Sequence, residues 1–394
     1  RKNALTSFES FKKRIGAKEY GIDSANVSML EPALLLFVED FKLKEEDLKK
    51  LDAEAMSADV LLVDPSGSSV ATYDLAVRYK KPVVIAWGLN CRTVDISAYC
   101  RSKGHEVFIP DSKSGISDIM ALLRARKILA NTRILYPTDW GWPSVASVAG
   151  INEPYALKEK FGTELKRISY AELSSAVEST KKNSSEMRLA SEMAETVYNN
   201  AEKSYIEKQY VARSMEFYLS VVSLMNKYNC NAFTIECFEF CSSRLPQKWQ
   251  ITPCLLHTMF KDLGISSACE GDLGGLLSMN LLMSMSKKSP HFGNMFMGEN
   301  GVMEINHSVP GTRMNGFSEA PLKYQLGRFV EAGWGTKAVV DFMQNDEKNI
   351  TVARMNPQAT GLLVLKGKLT GSKGADEDLR GCSVSAFMVG KESG

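Results

Sequence analysis

The chain has 394 residues, 44% of them apolar and 24% charged, with 48 Lys and Arg against 46 Asp and Glu. That is apolar material for two or three domains with their own cores rather than a disordered chain. The near-zero charge balance offers no field for nucleic acid or an anionic membrane, and the longest apolar runs, Leu34 to Val38 and Val83 to Trp87, fall far short of the roughly 20 residues of a membrane-spanning helix.

In the N-terminal part, Val60 to Asp64 and Pro82 to Trp87 are continuous apolar runs, the pattern of buried parallel strands. Thr72 to Tyr79 reads as a helix between them. Val94 to Lys103 reads as another helix, before a short strand at His105 to Ile109. Ile116 to Leu129 is an amphipathic helix rich in Leu, Ala and Arg, and Thr132 to Tyr136 begins a second α/β unit. The loop Pro137 to Pro154 carries Asp139, Trp140 and Trp142 among prolines, glycines and serines; its Trp rings would line a pocket or cover a domain edge. Ser185 to Tyr228 reads as one long, nearly unbroken helical segment.

Asn231 to Glu236 turns to strand chemistry. Thr252-Pro253 then opens a helix with a hydroxyl at the N-cap and proline at the first position, and Gly264 closes it. The strand Ile265 to Asp272 follows, and Leu273-Gly274-Gly275 leads into a helix through Met285. Beyond Phe292 the helical period fades into short alternating runs at 294–297, 302–306, 337–342, 350–355, 362–369 and 383–389, separated by turns such as Asn315-Gly316. The expected fold is α/β: two open parallel-sheet α/β domains, residues 1–130 and 131–311, followed by a small antiparallel β-barrel-like domain, residues 312–394.

Eight cysteines show no C-x-x-C pair and no dense framework, and with four histidines a Cys/His zinc site has little to draw on. Chemistry gathers instead at Glu236, Asp272 and His307, each read as lying at the end of a strand unit. Ligand crevices of α/β sheets lie beyond the carboxyl ends of the strands. Two carboxylates and an imidazole converging there suit Mn²⁺ or another borderline-hard divalent ion. Cys269-Glu-Gly-Asp-Leu-Gly-Gly275 places two acids and three glycines where a bare turn needs neither, and His307-Ser-Val-Pro-Gly311 places a lone His in a polar turn. Arg313, just past His307, is a candidate contact for an anionic group of a ligand, or else an Arg bonding a nearby carbonyl in a surface turn.

Taken in order, Thr234-Ile-Glu-Cys237, Thr252-Pro-Cys-Leu-Leu256, Cys269-Glu-Gly-Asp272 with its Gly-rich helix start, Asn306-His307 near Pro310-Gly311, and Gly333-Trp-Gly-Thr336 resemble the blocks of the L-fucose isomerase/L-arabinose isomerase-like family. The resemblance implies Glu236, Asp272 and His307 as metal ligands, Glu236 and Asp272 as the proton-shuttling acids, and a homo-oligomer with its pocket close to a subunit boundary. Trp140, Trp334 and Arg313 are the substrate-binding candidates.

The implied activity is aldose-ketose isomerisation through an enediolate, with a divalent metal, Mn²⁺ foremost, holding the sugar's carbonyl and hydroxyl oxygens and a carboxylate moving the proton. Competing readings keep the metal but make the reaction that of a lyase, epimerase or hydrolase on a sugar-derived acid, or make the chain an inactive sugar binder. The N-terminal region, where Asp64 is the lone strand-end acid, is expected to hold no ligand of the ion. No signal stretch opens the sequence, which favours the cytoplasm.

Overall fold

The structure, a computed structural model, describes residues 2–22, 26–37, 42–65, 70–86, 88–112, 114–141, 150–298 and 301–390. Contacts divide the chain into two compact units, 1–124 and 125–394. The ranges expected as second and third domains, 131–311 and 312–394, both fall in the second unit.

The first unit opens with α1 (Lys2–Gly16) and α2 (Glu45–Ser57), then alternates β1 (Leu61–Val63), α3 (Val70–Tyr79), β2 (Val83–Ile85), α4 (Cys91–Ser102) and β3 (Val107–Phe108). The three strands form one parallel sheet in the order β1-β2-β3. Each βαβ crossover returns a helix across the sheet, which is why all of Val83, Val84 and Ile85 are withdrawn from water. A reciprocal cap starts α4, Asn90 accepting from Thr93 N while Thr93 closes back on the Asn90 amide. Asp64 pairs with Arg14 at 2.7 Å. The division of units falls within α5 (Gly115–Ala130).

The second unit begins with β4 (Arg133–Pro137), α6 (Leu157–Phe161), β5 (Glu164–Ile168), α7 (Tyr170–Lys182), α8 (Ser184–Asn200), β6 (Lys203–Ser204), α9 (Lys208–Lys227) and β7 (Ala232–Thr234). Next come α10 (Cys237–Ser242), α11 (Leu245–Trp249), α12 (Cys254–Asp262), β8 (Ser266–Ala268) and α13 (Leu273–Ser286). A parallel sheet of order β5-β4-β7-β8 is its centre. Alternation along the strands sends neighbours to opposite faces. Ile134, Ala232 and Ala268 pack on α13, whereas Leu135 and Phe233 pack against α7, α9 and α12. Truncating the fully buried Phe233 to Ala would cost about 3 to 5 kcal/mol.

The antiparallel part comprises β9 (Phe292–Met297), β10 (Val302–Val309), β11 (Tyr324–Arg328), β12 (Thr336–Val340), β13 (Asn349–Met355), β14 (Leu362–Lys373) and β15 (Val384–Gly390). Five of these make a curled sheet of order β13-β14-β15-β10-β9, bent by register shifts at 306/309 and 369/371. The remaining two pair with β6 in a separate sheet, β12-β11-β6. Met355 N donates to Ser278 Oγ at 2.7 Å, tying β13 to α13. This seam joins the parallel and antiparallel sheets.

Several elements differ from the sequence reading. The expected single helix from Ser185 to Tyr228 is broken between α8 and α9 because the chain leaves to pair with β11, Glu202 N donating to Tyr324 O and Tyr205 N to Leu326 O. Pro253 is the N-cap of α12 rather than its first residue, and no side chain caps the helix start. The strand expected through Asp272 stops at Ala268. His307 lies within β10, paired with Val384, rather than in a turn after it.

Candidate functional site

Strands β7 and β8 run parallel and in register from Ala232/Ser266 to Thr234/Ala268, so their carboxyl ends stand side by side. Two bonds hold them there: Thr234 Oγ1 donates to Ala268 O at 2.9 Å, and Gly271 N donates to Ile235 O at 3.1 Å. Beyond β7 the chain turns straight into α10, with Glu236 as N-cap. Its carboxylate accepts from Phe238 N at 3.3 Å and from Glu239 N. Beyond β8 two successive residues adopt left-handed conformations, Glu270 at φ 63° and Gly271 at φ 64°. The reversal brings Asp272 to the N-cap of α13, where it accepts from Gly275 N at 2.9 Å. A Cβ at Gly275 would stand 2.5 Å from the Phe292 ring and 2.8 Å from Asp272 Oδ2, so only glycine fits.

The reversal aims Glu270 across to the antiparallel sheet. Its Oε1 accepts from Asn294 Nδ2 at 3.0 Å and lies 3.2 Å from His307 Nε2. His307 is 1% exposed, and its other nitrogen, Nδ1, is 3.9 Å from Cys382 Sγ. Burial alone would lower the pKa of this imidazole, but the bonds and charges of Cys382 and Glu270 outweigh it and raise the value to about 9. Glu270 responds in kind: burial raises its pKa, yet His307, Asn294 and Arg354 bring it below the ordinary carboxylate value.

Glu236, 1% exposed, is pushed up, first by burial and further by the negative charges of Glu239 and Glu270, against the two amides that bond it. Glu239 is also buried and is bonded by Thr138 Oγ1 at 2.6 Å, Asp139 N at 2.6 Å and Trp140 N at 2.7 Å. That carboxylate pins the loop after β4 beside α10 and leaves the Trp140 ring 57% exposed.

The three residues expected as ligands are therefore only partly brought together. Glu270 meets His307, its negative charge adds to the upward shift of the Glu236 pKa, and the carboxylate of Asp272 is ion-paired with Arg354 of β13. Arg313 is engaged by its own turn, Nη1 donating to Phe317 O at 3.1 Å and Glu319 O at 2.8 Å, rather than facing the acids. Trp334 sits half-buried in the β11–β12 hairpin turn, which is closed by bonds from Phe329 N to Gly335 O and from Val330 N to Trp334 O. Trp142 lies outside the described residues.

Glu239, Asn294, Arg354 and Cys382 belong to the site without having been singled out from the sequence. Glu270 was visible in the two-acid block but was not assigned a role. On donor chemistry, Glu236, Glu270 and His307, two carboxylates and an imidazole withdrawn from water, fit a borderline-hard divalent cation. Among the described residues, no three His, Cys, Asp or Glu side chains are already grouped as they would be round one ion. Among them, too, no helix is long and apolar enough to cross a membrane. In comparison with known proteins, no protein-family model matches the chain and no curated protein matches it.

Proposed function

We propose that the chain is a metal-dependent aldose-ketose isomerase acting on a sugar, as its resemblance to the L-fucose isomerase/L-arabinose isomerase-like family implies. The observation that supports the reading is Glu270, just past the carboxyl end of β8, lying 3.2 Å from His307 of β10, with Glu236 at the end of the adjacent parallel strand β7. The ion would be held by Glu236, His307 and Glu270, with Asp272 available once Arg354 releases it. When bound, a divalent ion, Mn²⁺ foremost, supplies the positive charge that stabilises the enediolate oxygens of the sugar.

The chain's own residues supply the rest. Glu236, lifted in pKa by burial and by neighbouring acids, is the base that takes the proton from one carbon and returns it to the next, with Asp272 as the second acid. His307 is kept out of water and oriented from both ring nitrogens. Trp140, its backbone held by Glu239, offers an exposed apolar face of the kind sugar rings and chains pack on. Met295, Phe296 and Met297 are exposed on edge strand β9, in keeping with a homo-oligomer, and the cytoplasm remains the expected compartment.

One observation favours a second reading. The Arg354 guanidinium beside Asp272 is a cation that would suit a carboxylated substrate, and thus a metal-dependent lyase, epimerase or hydrolase on a sugar-derived acid. Metal-stripped protein, with and without added Mn²⁺, should be assayed against a panel of aldoses and a panel of aldonic acids. Mn²⁺-dependent ketose formation is the expected result. Turnover of the acids alone would replace the isomerase with the second reading, and sugar binding without turnover would make the chain a binder.

A further inference from the structure

His307 has two ring nitrogens, and only one can serve an ion. Which one it is depends on what holds the other. Nε2 faces Glu270 Oε1 at 3.2 Å, among the acids, whereas Nδ1 faces Cys382 Sγ at 3.9 Å, the long contact typical of a sulfur partner.

The segment that brings Cys382 there is built rather than incidental. It links β14 to β15, and its carbonyls converge on a buried ammonium: Lys337 Nζ, on a residue 1% exposed, donates to Leu379 O and Gly381 O, both at 2.8 Å, and to Ser383 Oγ at 2.6 Å. All three protons of the ammonium are thereby used. Gly381 is bonded twice more, its N–H donating to Phe329 O at 2.9 Å and its carbonyl accepting from Ser308 Oγ at 2.8 Å. Ser308 is the neighbour of His307, so the turn is fastened to the strand that carries the imidazole. The free thiol of Cys382 has little freedom to leave it.

We propose that Cys382 is the positioning residue of His307: its sulfur accepts the Nδ1–H, fixes the ring, and so presents Nε2 to a divalent cation shared with Glu270. The inference rests on the metal-dependent reading above. It follows the general pattern in which a metal-binding imidazole donates its second N–H to an outer partner whose loss weakens the metal about 10- to 100-fold. Here that partner is a thiol, and it comes from a turn 75 positions further along the chain.

The test is Mn²⁺ binding to the full chain by titration calorimetry, for the parent, Cys382→Ala and Cys382→Ser, with metal-free melting curves alongside. Cys382→Ala should weaken Mn²⁺ about tenfold or more, while the metal-free variant still melts cooperatively, lower than the parent only by the loss of one contact to the imidazole. Cys382→Ser, which keeps an acceptor, should lose less. Co²⁺ in the parent should give no sulfur-to-metal charge-transfer band. Equal Mn²⁺ affinity in the parent and Cys382→Ala, equal losses in both variants, or a thiolate band with Co²⁺ that marks Cys382 as a ligand would each overturn the assignment. A parent that binds no Mn²⁺ would overturn the metal-dependent reading itself.

Discussion

Lys261 offers a test of how the strand carrying His307 is held. Its side chain is fully buried, and its ammonium donates to Val309 O at the end of β10. Burial lowers its pKa from 10.5 to about 7, with Asp262 only partly offsetting the loss of water. Below the folded value both states carry the proton and the folded state bears the full penalty. Between the two values the unfolded chain holds the proton more tightly, so stability rises with pH. At about 1.4 kcal/mol per tenfold in proton affinity, the penalty near pH 6 is about 5 kcal/mol. Lys261→Met keeps the length and apolar stem but leaves the Val309 carbonyl without this donor, a loss of about 1 to 3 kcal/mol. The net expectation is stabilisation by about 2 to 4 kcal/mol near pH 6, dwindling towards zero or below near pH 10. Urea unfolding of parent and variant at both pH values measures it. A variant less stable than the parent near pH 6, or a difference that does not shrink with pH, would refute the reasoning.

Three further outcomes are expected. Glu236→Gln removes a carboxylate that burial and neighbouring acids disfavour, so the metal-free protein should melt higher near neutral pH, while isomerase turnover, followed by ketose formation, falls about a hundredfold or more. Arg354→Met frees Asp272 from its guanidinium partner; if Asp272 is a ligand, Mn²⁺ binding measured by calorimetry should tighten, and unchanged or weaker binding would remove it from the ligand set. Because the His307 pKa is raised from 6.5 to about 9, its protonated contacts stabilise the metal-free fold fully below 6.5, and that contribution is lost as pH rises through about 9. A bound metal must displace the same proton, so Mn²⁺ affinity should climb over that window, and a flat profile would show that His307 is not a ligand.

Much of the architecture was legible because it is written in local periodicity. The runs at Val83 and Ile134 are apolar on every residue, as strands covered on both faces must be, and α13 and the C-terminal strands fall close to their expected bounds, except β11, for which no run was expected. What failed to show depends on distant partners. Residues 201–207 look helical because nothing near them says that Lys203 and Ser204 will be captured by β11, more than a hundred residues later. The half of the site contributed by the antiparallel sheet was hidden for the same reason: Arg354 lies on an ordinary β strand and Cys382 in the turn before β15, with no motif about them, and only the packing of β13 on α13 and the pairing of β15 with β10 bring them to Asp272 and His307.

The choice between Glu270 and Asp272 turns on two dihedral angles. Had β8 stayed extended to its expected end, residues 270 and 272 would lie two apart on one face and would both point at the same rim. The strand instead stops at Ala268, and the left-handed pair Glu270-Gly271 swings the chain so that one acid caps α13 and the other crosses to His307. Gly271 adopts that conformation freely, but Glu270 does so at a cost of about 1 kcal/mol or more. Nothing local requires a glutamate there; an Asn or Gly would make the turn more cheaply. The strain is held because the carboxylate is gripped by Asn294 and His307 from another sheet. Backbone strain on a buried acid, maintained by contacts that do nothing for the turn itself, is the mark of a side chain kept for what it holds, and it places Glu270, rather than Asp272, at the centre of the cluster.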